Sequence, residues 1–98
     1  MNKIYLFVIA FLLIGCTAES PEIQFESLLD SEWSKIVEDN PVYASSMGDL
    51  SRNTEWSDTS VENIYLDHQH NLDILNQLKE LDVANFSEDN KVNYSLFK

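Results

Sequence analysis

The fold class is set by residues 20–41, SPEIQFESLLDSEWSKIVEDNP, which contain the start, the buried face and the end of one helix. Ser20 precedes Pro21, an order that is typical of an N-cap followed by the first helical position. Asn40 precedes Pro41, and a residue before proline avoids the α region, so the helix ends there. Apolar side chains recur every three or four positions and predict one buried face: Phe25, Leu28, Leu29, Trp33, Ile36 and Val37.

Three later segments also carry helical signals. Pro41 opens a short helix that Gly48 ends, because glycine tolerates positive φ. Thr59 and Glu62 form a capping box at the start of a long helix, which extends to about residue 81. Ser87 caps the last helix. The long helix has a predicted buried stripe: Val61, Ile64, Tyr65, His68, Leu72, Leu75 and Leu78, widened by Ile74 and Leu81.

The N-terminus has the pattern of a secretory signal: Lys3, then an unbroken apolar run over 4–14, then a small residue. The run is too short to span a bilayer, which takes about 20 apolar residues. Its end, Leu-Ile-Gly-Cys, resembles a bacterial lipobox. The resemblance implies that Gly15 is the last residue removed and that Cys16 is lipidated and then acylated at its new amino group. The alternatives are an ordinary signal peptide, or a single anchoring helix with an incidental cysteine.

These signals predict an all-α protein: a signal helix followed by three to four amphipathic helices. Residues 1–15 form the lipoprotein signal peptide, and residues 16–20 form the lipidated cysteine with a short tether. Residues 21–98 are interpreted as the helical N-terminal segment of a larger, truncated domain. This interpretation rests on the last helix, which has no stop signal and places Phe97 next to the final residue.

The charge of the chain limits its partners. All 17 acidic residues and five of the six basic residues follow Cys16, so the mature part has a formal charge of −12. Nucleic acid is excluded, because phosphate contacts need basic residues. Anionic lipid adds no attraction, so the predicted membrane contact is made by the acyl chains on Cys16. Cys16 is also the only cysteine, so no internal disulfide forms.

Two groups of titratable residues invite a chemical interpretation. His68 and His70 form an H-x-H pair, but residues two apart lie about 200° apart around a helix and cannot share one metal ion. We expect His68 to follow the apolar stripe and His70 to face water. Glu22, Glu26 and Asp30 are neighbours at i,i+4. They are more typical of a solvated face than of acid–base chemistry, since no apolar neighbour raises a pKa there.

The segment between the two longer helices contains one tryptophan and the only arginine of the chain. Trp56 is either an aromatic of a binding face or a plug that seals the loop onto the core, and the second interpretation is favoured. Arg52 either clamps a substrate carboxylate or pairs with Asp49, Glu55 or Asp58, and pairing is again favoured.

The mature part resembles the N-terminal end of a large bacterial lipoprotein family known as domain of unknown function eight-eight-five. Members of that family have an aromatic-rich first helix, a proline, a Gly-Asp, a Trp/Asp loop, a leucine helix and an Asn-Tyr-x-Leu-Phe segment. In this chain the matching residues are Phe25, Leu28, Trp33, Asn40-Pro41, Ala44, Gly48-Asp49, Trp56, Asp58, Leu72, Leu75, Leu78, Asp82 and Asn93 to Phe97. Ser95 stands where the family commonly has an acid.

The resemblance implies a longer, all-helical parent protein related to zinc peptidases, whose HExxH motif lies downstream. This sequence contains no HExxH, so no catalytic, cofactor-binding or metal-binding residue is assigned to it. Zinc and a peptide substrate are implied for the parent alone.

The leading hypothesis is therefore a membrane-anchored N-terminal segment, whose partners are membrane lipid and the remainder of its own chain. The alternative is a complete small acidic lipoprotein that binds another envelope protein through Trp56, Tyr94 and Phe97. Thr17, rather than an acid, follows Cys16. The resemblance to lipoproteins of the enterobacterial kind therefore implies the outer membrane, facing the periplasm.

Overall fold

The computed structural model describes residues 18–98, so the predicted signal segment, Gly15 and Cys16 lie outside the described residues. The described part contains helices α1 (Pro21–Asp39), α2 (Pro41–Ser46), α3 (Val61–Glu80) and α4 (Glu88–Phe97). Every regular element between residues 18 and 98 is helical, which confirms the predicted all-α fold class.

The helix starts follow from side-chain caps. Ser20 accepts a hydrogen bond from the amide of Ile23 at the start of α1, and Ser87 does the same for α4. At α3 the prediction was wrong by one residue. The cap is Ser60 rather than Thr59, because Asp58 accepts a hydrogen bond from the Ser60 amide at 2.9 Å and Ser60 takes the extended conformation of a cap.

The short helix α2 turns the chain back after α1. Pro41 and Ala44 are buried, and Gly48 has a φ of +100°, which a residue with a side chain rarely adopts. The predicted role of Gly48 as the end of this helix is confirmed.

The core is small and centres on Phe25 of α1. Ile74, Leu78 and Phe86 are buried with it, and partly buried apolar side chains surround them. The Phe25 ring lies 5.5 Å from the Phe86 ring and 5.7 Å from the Tyr94 ring. The Tyr94 hydroxyl donates a hydrogen bond to the Leu78 carbonyl at 2.9 Å, which ties α4 to the end of α3.

A polar cluster joins the first turn of α1 to the first turn of α4. The Glu22 carboxylate accepts hydrogen bonds from the Ser87 hydroxyl at 2.6 Å, the Ser87 amide at 2.9 Å and the Asn90 side chain at 2.7 Å. Glu26 also accepts from Asn90, at 2.7 Å. Glu26 is exposed and Glu22 is half-buried, so the expected solvated acidic face is confirmed, with these hydrogen bonds to α4 added to it. The bonds from Ser87 and Asn90 lower the pKa of Glu22 below its usual 4.5.

Candidate interaction surface

Helix α3 presents one face to α1, and that face changes character along its length. Asp67, His70, Ile74 and Leu78 follow one another at steps of three and four, so they lie on the same side of the helix. Asp67 and His70 contact α1 through polar atoms, whereas Ile74 and Leu78 are buried with Phe25. The contact between the two long helices is therefore polar at one end and apolar at the other.

The polar end is built from ion pairs. Lys35 donates hydrogen bonds to Asp67 at 3.1 Å and to Asp39 one turn away on α1. The bond to Asp39, followed by the bond to Asp67, raises the pKa of Lys35 above its usual 10.5. His70 Nε2 lies 2.8 Å from a carboxylate oxygen of Glu32. The expectation that His70 faces water was wrong, because a polar pair at this end turns His70 toward α1.

A second set of apolar residues between Val61 and Leu72 lies beside that face rather than on it. Leu72 is five residues from Asp67, which corresponds to about 140° around the axis. Val61 is 84% exposed and Leu72 is 41% exposed, so their predicted burial was wrong. We call the exposed set the outer stripe: Val61, Ile64, Tyr65, His68 and Leu72.

A groove between α1 and α3 continues the outer stripe. It has a volume of about 570 Å³, and His68 and Leu72 of the stripe form part of its wall. Its other apolar walls are Ile36 of α1, Ile74, Leu75 and Leu78 of α3, and Phe97 of α4. The ion-paired residues Lys35 and Asp67 also line it. The groove and the outer stripe are therefore continuous, with a polar group at one end of the groove.

Charged side chains of both signs line this groove. Its carboxylates are Glu32, Asp39 and Asp67, and its lysines are Lys35 and Lys98. Lys35 is paired with Asp39 and Asp67.

The loop between α2 and α3 exposes a second aromatic site. Trp56 is 85% exposed, so the predicted plug onto the core is wrong and the binding-face interpretation is the one that agrees with its position. Arg52 pairs with Glu55 at 2.7 Å and also donates to the Glu38 carbonyl. The predicted pairing of Arg52 is confirmed, and these bonds occupy its guanidinium group.

Two other aromatic residues of the predicted docking surface lie in the core region. Tyr94 and Phe97 are partly buried, and the Phe97 ring lies 6.5 Å from the Phe25 ring. Their expected full exposure is therefore wrong, and Trp56 is the most exposed of that predicted trio.

The described residues do not fit a zinc site. His70 contacts Glu32, whereas His68 lies on the outer stripe. Between residues 18 and 98 no three His, Cys, Asp or Glu side chains come together in a group that could hold a metal ion. No catalytic step through zinc is therefore assigned to this chain.

Comparison with protein-family models, with curated proteins and with solved structures finds no match to this chain. The resemblance to the eight-eight-five lipoproteins consequently stays a prediction. None of the helices within residues 18–98 combines the length and the apolar character needed to cross a membrane.

Proposed function

We propose that this chain is the lipid-anchored N-terminal segment of a zinc-peptidase-like lipoprotein of the bacterial cell envelope. Cys16 attaches the protein to the membrane, and residues 21–98 pack against a larger helical body that holds the catalytic groups. The segment itself supplies attachment and packing surface rather than chemistry.

The observation that carries this proposal is the uncovered apolar surface of α3. From Val61 to Leu75 the outer stripe and the groove wall extend over about 21 Å, at 1.5 Å per helical residue. A continuous exposed apolar surface on a soluble domain is typical of a contact with more protein. Between residues 18 and 98 the core cluster contains four buried side chains, which is small for an independent domain.

The anchoring part of the proposal is supported by the leader sequence and by the short tether. Cys16 and Pro21 are five residues apart, and an extended chain spans at most about 3.6 Å per residue. The start of α1 therefore lies within about 18 Å of the lipidated cysteine. An anchor at Cys16 consequently keeps the helices close to the membrane, with Thr17 favouring the outer membrane.

The test is the intact mass of the native species, extracted from membranes and detected with an antibody to residues 20–98. We expect a mass several-fold above the 11.3 kDa of this chain, with acyl groups on Cys16. The Cys16→Ser variant should lose acylation and membrane retention, whereas the neighbouring Thr17→Ser variant should keep both. A mass close to residues 16–98 plus acyl groups would end the peptidase proposal.

A second candidate is a small acidic lipoprotein that binds another envelope protein. The exposure of Trp56 favours it, because tryptophan is enriched at binding hot spots. The same mass measurement separates the two candidates, since a small acylated species is what this candidate requires.

A further inference from the structure

We draw no further inference here: the strongest candidate, the groove between α1 and α3 together with the outer stripe, is lined by carboxylates and lysines as well as by apolar side chains, and nothing in the structure of residues 18–98 shows what covers it.

Discussion

In the second half of α3, Ile74 and Leu78 are buried against Phe25. In the first half, Asp67 forms an ion pair with Lys35 of α1, and His70 forms a hydrogen bond with Glu32. The apolar side chains of that first half face outward instead. Both halves have an apolar stripe with helical spacing. An apolar stripe with helical spacing therefore predicts a contact but does not identify the neighbour that makes it.

The two halves should also differ in what they contribute to stability. Burial of a large apolar side chain stabilises a fold by about 1.5–3 kcal/mol, whereas an exposed ion pair contributes about 0–1 kcal/mol. We therefore expect the fold to depend on the second half of α3 and on its contacts with α1 and α4.

The largest expected effect comes from shortening two leucines of α3, Leu78 in the core and Leu72 on the outer stripe. Leu78→Ala should lower the free energy of unfolding by about 2–5 kcal/mol, because Leu78 is only 1% exposed and its removal leaves a cavity. Leu72→Ala, on the same helix, should lower it by less than about 1 kcal/mol. Urea unfolding followed by circular dichroism measures both values. Equal losses would show that the outer stripe is packed as tightly as the core.

A smaller effect is expected from the polar cluster between α1 and α4. Asn90→Ala should lower the free energy of unfolding by about 1–3 kcal/mol, since Asn90 is buried and donates to both Glu22 and Glu26. The control is Asn76→Ala on the exposed side of α3, for which we expect a change within about 0.5 kcal/mol. If both variants unfold at the same urea concentration, the cluster does not stabilise the fold.

The pH dependence of stability should identify the same cluster. Hydrogen bonds from Ser87 and Asn90 lower the pKa of Glu22 in the folded state, so below the ordinary value of 4.5 the unfolded state binds more protons. The stability that the carboxylate adds is complete above that value and is lost as the pH falls through the lower, folded pKa. The difference in the free energy of unfolding between the wild type and Glu22→Gln should therefore shrink as the pH falls through that range.

The matched control for this titration is Glu62→Gln, which lies at the corresponding first-turn position of α3. Urea unfolding at several pH values between neutral and about 3 compares each variant with the wild type. If the free-energy difference between Glu22→Gln and the wild type does not change with pH, the pKa of Glu22 is not lowered in the folded state.

The smallest effect is expected at the polar end of the α1–α3 contact. Lys35→Met should change the free energy of unfolding by less than about 1 kcal/mol, because both of its ion pairs are partly exposed. The difference from wild type should shrink further in high salt. Lys79→Met is the control on α3. A loss above about 2 kcal/mol would mean that this end stabilises the fold as strongly as the apolar end.

The helix bounds could be predicted because they depend on local signals. Ser20 with Pro21 and Ser87 each act within one turn, and the structure begins α1 and α4 where those residues predict. Gly48 likewise ends α2 through its own backbone conformation. The N-cap of α3 differs from the prediction by one residue, because Thr59 and Ser60 are adjacent hydroxyl residues that can both act as a cap.

Burial could not be predicted equally well, because it depends on where neighbouring helices lie. The stripe through Val61 and Leu72 had the right spacing, yet at that end α1 contacts α3 through Asp67 and His70 instead. For the same reason the two histidines differ from expectation: His70 contacts Glu32 of α1, and His68 is exposed. Trp56 was expected to cover the core from its loop, but Phe86, Tyr94 and Phe97 already surround Phe25.

The most direct test of the difference between the two halves of α3 is amide hydrogen exchange along that helix, measured on the 98-residue chain. We expect amides of residues 74–80 to exchange at the rate set by global unfolding, because Ile74 and Leu78 are in the core. Amides of residues 64–70 should exchange at least about tenfold faster, through local opening of the uncovered end. Uniform protection along α3 would contradict the account, since it would mean that the outer stripe needs no cover.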